Sequence, residues 1–106
     1  MRRAAKADRN QPEIVNALES AGATVQHLHT VGGGCPDIAV GYRGQNFLVE
    51  IKDGKAPPSA RGLTDAQLLF HSIWRGQVAI AESIDDAFRI VGIKTGESPI
   101  AVEAAE

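Results

Sequence analysis

Apolar residues recur every three or four positions in three stretches of the chain, and this spacing predicts three helices. The first begins near Asn10, has Pro12 in its first turn and ends at Gly22. The second runs from a Thr64 cap to about residue 75, and the third from a Ser83 cap to about residue 91. The positions expected to face the core on the second helix are Ala66, Leu69, Phe70 and Ile73.

Four shorter stretches alternate between apolar and polar residues, as half-buried strands do. They are residues 24–29, 36–41, 46–52 and 77–81. Residues 53–62 are rich in Gly, Pro and Ser and predict an exposed loop. The resulting order, αβββαβα, predicts a mixed α/β domain.

Arg43 and Gly44 are predicted to form the tip of a tight hairpin, because Gly supplies the positive φ that such turns require. This turn fixes the register of the two strands and pairs Ile38 with Val49, with Ile51 on the same face. That face is apolar throughout and is expected to lie against the core. A slip of one residue would expose it, so the register is well specified.

The same register places Asp37 opposite Glu50 on the other face, with Lys52 two residues further along. Two facing carboxylates repel each other unless a shared proton, a basic neighbour or a divalent cation offsets the repulsion. Carboxylate and carbonyl oxygens suit Mg²⁺ or Mn²⁺. An ordinary surface cluster of charges is the alternative interpretation of these three residues.

Composition and charge limit the remaining possibilities. A chain of 106 residues has room for one domain, which we expect at residues 10–92. Residues 1–9 carry four bases against one acid and form a basic N-terminal arm, whereas residues 93–106 form a tail that is acidic from residue 97 onward. The net charge of −2 argues against nucleic-acid binding through bulk positive charge alone. A single cysteine, Cys35, and the lack of a long apolar stretch favour a reducing, cytoplasmic protein without a membrane partner.

Four motifs in sequence order resemble the VRR-NUC family, a branch of the PD-(D/E)xK nuclease superfamily. They are Gly-Cys-Pro-Asp at residues 34–37, Val-Glu-Ile-Lys-Asp-Gly-Lys at 49–55, Leu-Thr-Asp-Ala-Gln at 63–67 and Ser-Ile-Asp-Asp-Ala at 83–87. The resemblance covers about residues 10–92. It implies a restriction-endonuclease-like core, in which helices flank a mixed central sheet, and the hydrolysis of phosphodiester bonds with Mg²⁺ or Mn²⁺.

The resemblance also implies roles for individual residues. Asp37 and Glu50 would bind the metal together with the backbone carbonyl of Ile51, and Lys52 would position the attacking water or stabilise developing charge. Glu13 matches an acid that supports the site in many members of the superfamily. It also lies three residues after Asn10, so a capping box on the first helix is an equal alternative.

The second helix contributes a further candidate. Gln67 matches the glutamine that the family carries on this helix, and its expected role is catalytic. It also lies three residues after Thr64, so helix capping competes with that role. His71, one turn later, and the loop residues Lys55 and Arg61 are candidates for substrate contacts.

The expected function is therefore a metal-dependent DNA endonuclease. The resemblance to small stand-alone phage and bacterial members implies selectivity for branched or four-way-junction DNA, in a bacterial or phage-infected cell. A short chain buries little surface, and cutting two strands takes two sites, so we expect a homodimer. Two alternatives stay open: an inactive DNA-binding or protein-interaction module on the same fold, or a general nicking or flap nuclease.

Overall fold

The computed structural model describes residues 8–94 and has the predicted order of elements. A short 3₁₀ turn, Pro58–Ala60, lies in the predicted loop. The helices and strands are α1 (Gln11–Ser20), β1 (Thr24–His27), β2 (Ile38–Tyr42), β3 (Gln45–Ile51), α2 (Asp65–Ile73), β4 (Val78–Ala81) and α3 (Ile84–Val91).

The four strands form one mixed sheet in the order β1-β2-β3-β4. The first three strands are antiparallel, while β4 runs parallel to β3 and is reached through α2. The predicted hairpin register is confirmed, since Ile38 pairs with Val49. Arg43 and Gly44 have φ angles of 51° and 79°, the pair of positive values that a type I′ turn requires. Asp37 lies immediately before β2.

One face of the sheet carries the hydrophobic core, and α1 and α3 cover it. Each of these helices contributes a buried apolar stripe, as its sequence period predicts. Ile93, the residue after the boundary expected at residue 92, is also buried. The largest fully buried side chains are Ile14, Leu18, Ile38, Ile51, Val40, Val49 and Pro36.

The expectation that α2 faces the core is wrong. No residue of this helix is buried, and Leu69 and Ile73 are 60% and 63% exposed. The helix approaches the rest of the protein at its N-terminus, where the loop before β2 passes close to the Ala66 carbonyl. Gly34 permits this approach, because a Cβ there would collide with that carbonyl and φ is +82°.

The helix starts differ in how they are capped. The Thr64 hydroxyl accepts a hydrogen bond from the Gln67 amide, and the Gln67 side chain accepts one from the Thr64 amide, which confirms a capping box on α2. Ser83 caps α3 in the same way through the amide of Asp86. The capping box expected at Asn10 on α1 is absent, because the Asn10 side chain makes no capping bond. No helix in residues 8–94 is long and apolar enough to cross a membrane.

Candidate active site

The two predicted carboxylates lie at the end of the β2–β3 hairpin, on the sheet face opposite the core. Glu50 belongs to β3 and is only 2% exposed. Oδ2 of Asp37 accepts a hydrogen bond from the Ile51 amide at 2.7 Å. This bond fixes the Asp37 carboxylate against the strand that carries Glu50. The backbone N–H group of Ile51 is therefore part of the site, and Ile51 lies between Glu50 and Lys52 in the sequence.

The side chain of Gln67, on α2, connects Glu50 and Lys52. Its Oε1 accepts hydrogen bonds from Lys52 Nζ at 3.0 Å and from the Thr64 amide at 2.9 Å. Its Nε2 donates to Glu50 Oε2 at 3.1 Å. The Lys52 ammonium also lies 3.9 Å from Glu50 Oε2. Capping and site contact were alternatives for Gln67 in the sequence, and the structure has both at once.

The electrostatic state of Glu50 follows from its surroundings. Burial raises the pKa of Glu50 from 4.5 to about 8, and the charge and hydrogen bonding of Asp37 push it in the same direction. Lys52 opposes this rise in the pKa but does not cancel it. The site therefore holds two carboxyl groups that are costly to ionise together in the absence of a further positive charge.

Two residues just before α1 lie beside the site and were not predicted as site residues from the sequence. The Asn10 side chain donates hydrogen bonds to the carbonyls of Lys52 and Glu82, at 3.0 and 3.2 Å. Asp8 lies within electrostatic reach of the site: burial raises its pKa, Lys52 lowers it, and Asp37 raises it further. The sequence offered no periodic or motif signal for either contact, and Asp8 fell within the expected basic arm.

The other predicted residues are spread around the site. Glu13 is exposed on α1 and lines a neighbouring cleft of about 790 Å³ together with Lys55. The structure therefore does not bring Glu13 into the group formed by Asp37 and Glu50. Arg61 pairs with Glu82, on the rim of the same cleft, at 3.4 Å. His71 lies close enough to Lys52 for that charge, after burial, to lower the pKa of His71.

The donor set fits a hard divalent cation. Oε2 of Glu50 is hydrogen-bonded to Gln67, but Oε1 is buried with no hydrogen-bond partner. A buried, unpartnered carboxylate oxygen beside a second carboxylate is what a cation such as Mg²⁺ or Mn²⁺ would satisfy. Within residues 8–94 no three His, Cys, Asp or Glu side chains converge as a complete ligand set. Backbone carbonyl groups and waters would have to complete the coordination, as Mg²⁺ commonly allows.

Comparison with known proteins agrees with the fold and the motifs. No family model matches the sequence, and no curated protein matches it. A solved structure described as a VRR_NUC domain is similar, with a TM-score of 0.59 and 27% sequence identity. The match covers 79% of this chain and 91% of that chain. The likeness extends over most of both chains and supports the same family as the sequence motifs, the VRR-NUC family.

Proposed function

We propose that the protein is a divalent-metal-dependent DNA endonuclease. The observation that carries the proposal is the connected group formed by Glu50, Gln67 and Lys52, with Asp37 held beside it by the Ile51 amide. An acidic pair next to a fixed ammonium group is suited to phosphodiester hydrolysis, in which negative charge builds up on phosphorus oxygens. The likeness to a VRR_NUC domain structure supports a nuclease on independent grounds.

Asp37, Glu50 and the Ile51 carbonyl are the groups that would hold Mg²⁺ or Mn²⁺. When bound, such a cation polarises the phosphate and lowers the pKa of a coordinated water. The protein contributes the fixed position of its two carboxylates. The Ile51 amide orients Asp37, and the Gln67 amide orients Glu50, so neither carboxylate has to be ordered when substrate arrives.

Lys52 is the proposed catalytic lysine. Its ammonium group donates a hydrogen bond to Gln67 Oε1. The residue as a whole is only 9% exposed, so water competes weakly for this hydrogen bond. In this position it would donate a hydrogen bond to the phosphate oxygen on which charge accumulates, or orient the attacking water. Gln67 acts through its neighbours and is a positioning residue.

The cleft beside the site would receive the DNA backbone. Arg9 and Lys55 are the two bases among the residues that line it, beside four acids, and Arg61 lies on its rim, paired with Glu82. His71 would contact substrate near Lys52. Phosphate contacts of this kind position the DNA without reading its sequence. We therefore expect binding that weakens with salt.

We further propose that the substrate is branched DNA, including four-way junctions, and that two copies of the chain act together. The resemblance to small stand-alone members supports the preference for branched DNA, in a bacterial or phage-infected cell. Cutting two strands requires two sites, and each chain contributes one. A homodimer would supply both.

The proposal is tested by incubating the purified chain with supercoiled plasmid, flap and four-way-junction DNA in Mg²⁺, Mn²⁺ or EDTA. We expect cleavage with either metal, fastest on the junction, and none in EDTA. The Asp37→Asn variant is the matched control for a contaminating nuclease and should be inactive. Binding to DNA without any cleavage in Mn²⁺ would instead show a binding module on the nuclease fold.

A further inference from the structure

Two histidines at the edge of the sheet lie apart from the candidate active site. His27 ends β1, and His29 follows two residues later. Their rings meet edge to face, with the ring centroids 5.9 Å apart. His27 pairs with Ile38, which is fully buried in the core. Because paired residues of neighbouring strands point to the same face, His27 lies on the face that α1 covers and not on the face of Glu50.

A pocket of about 370 Å³ lies between the two histidines and α1. Gln11, at the start of this helix, lines the pocket and is only 2% exposed. Its side-chain nitrogen lies 3.5 Å from His27 Nδ1, but its Oε1 is buried with no hydrogen-bond partner within residues 8–94. His29 Nδ1 is buried and unpartnered in the same way. The walls of the pocket therefore contain two unsatisfied polar atoms, and each costs free energy unless a ligand binds it.

The chemistry of this pocket favours a cation over an anion. Glu19, about two turns after Gln11 on α1, also lines the pocket. Among the described residues, no lysine or arginine lines it. Imidazole nitrogens are typical ligands of transition metals such as Zn²⁺, whereas Mg²⁺ and Mn²⁺ are suited to carboxylate and carbonyl oxygens. The pocket therefore differs in metal preference from the site formed by Asp37 and Glu50.

We propose that the pocket binds a transition-metal ion such as Zn²⁺ through the imidazoles of His27 and His29 and the Oε1 of Gln11. Side chains two residues apart on an extended strand point to the same side, so the two histidines can share one ion. His27 is exposed, which lets an ion enter from solvent. Within residues 8–94 no third His, Cys, Asp or Glu completes the set, so water would take a remaining position. The proposal does not rest on the nuclease activity.

A metal ion in this pocket would restrain two parts of the fold. It would tie β1, which is an edge strand, to the first turn of α1. Leu28 lies between the two histidines, and its amide donates a hydrogen bond to the Asp37 carbonyl at 2.7 Å. The ion would therefore also restrain the backbone next to a residue of the candidate active site, from the opposite face of the sheet.

The test is Zn²⁺ binding to the full chain carrying Glu50→Gln, which weakens the candidate active site as a competing site. Titration calorimetry and NMR of the histidine ring nitrogens measure the binding. We expect the ring signals of His27 and His29 to shift and those of His71, the third histidine, to stay in place. His27→Ala and His29→Ala in this background should each weaken binding by about 10-fold or more. His71→Ala is the matched control and should bind like its parent.

Thermal unfolding gives a second measurement. Zn²⁺ should raise the unfolding midpoint of Glu50→Gln and should not raise it when His29→Ala is added. The NMR measurement needs no histidine substitution, so a variant that fails to fold leaves the test intact. Unchanged ring signals of His27 and His29 in a large excess of Zn²⁺ would overturn the proposal. Equal binding by His27→Ala and its parent would overturn it as well, because the ion would then lie elsewhere.

Discussion

The two faces of the sheet differ in the side chains they carry and in what covers them. On one face, α1 and α3 cover side chains such as Ile38 and Val49, which are completely buried. On the other, Glu50 and Lys52 are nearly buried among polar partners, while Leu69 and Ile80 remain well exposed. The first face therefore holds the fold together. On the second face, charged groups are buried and apolar side chains are exposed. Both arrangements cost free energy, and both are typical of functional sites.

The contrast also explains why the site is held by hydrogen bonds. The Gln67 side chain has directional hydrogen bonds to Glu50, Lys52 and Thr64, and these tie the N-terminal turn of α2 to the site. Each of the four predictions that follow changes a residue on one of the two faces.

The largest effect is expected from Lys52→Ala on the polar face. Cleavage in Mn²⁺ should fall by at least about 10³-fold, because the group that stabilises charge on the phosphate is lost. Thermal unfolding should change little. Lys55→Ala is the matched control, since Lys55 lines the neighbouring cleft, and it should lower the rate far less. Equal rates for wild type and Lys52→Ala would remove Lys52 from the mechanism.

The core face is tested by comparing two leucines. Leu18→Ala should lower the free energy of unfolding by about 2–5 kcal/mol, because Leu18 is fully buried on α1. Leu69→Ala, on the exposed face, should change it by less than about 0.5 kcal/mol in the monomer. Urea denaturation at low protein concentration measures both. Similar losses for the two variants would show that α2 packs in the core after all.

Gln67→Ala separates the two roles of that residue. We expect cleavage to slow by about 10- to 100-fold, because Glu50 and Lys52 both lose their orienting partner. Thr64→Ala removes the capping hydroxyl but leaves the Gln67 side chain in place, and it should cost only about 1 kcal/mol in stability. If Thr64→Ala slows cleavage as much as Gln67→Ala, capping alone explains the residue.

The smallest effect concerns pH. The raised pKa of Glu50 means that the folded protein holds a proton there more tightly than the unfolded chain does. Stability from this group is complete below pH 4.5 and is lost as pH rises towards 8. Metal-free wild type should therefore lose stability over that range by urea denaturation, and Glu50→Gln should lose less. A steeper loss in the variant would contradict the electrostatic picture.

Much of the fold could be predicted from local chemistry. The Arg43-Gly44 turn fixed the hairpin register, and Thr64 and Ser83 marked where α2 and α3 begin. These features depend on a few neighbouring residues, so a single sequence carries them. The facing of Asp37 and Glu50 followed from that register.

The sequence did not reveal how the elements meet. The apolar positions of α2 have the same period as those of a core-facing helix, and periodicity cannot distinguish a buried helix from one whose apolar side chains stay exposed. Asn10 was expected to cap α1, because its side chain suits capping. Instead, its side-chain amide donates hydrogen bonds to two backbone carbonyls that are distant in sequence. Contacts of this kind depend on tertiary placement, which no local pattern encodes.

The central claim is that Asp37 and Glu50 take up a divalent cation, and titration calorimetry with Mn²⁺ tests it most directly. We predict that wild type binds Mn²⁺, that Glu50→Gln binds at least about 10-fold more weakly, and that Glu13→Gln binds like wild type. Unchanged binding in Glu50→Gln would contradict the account. So would a loss in Glu13→Gln alone, since it would place the cation in the neighbouring cleft instead.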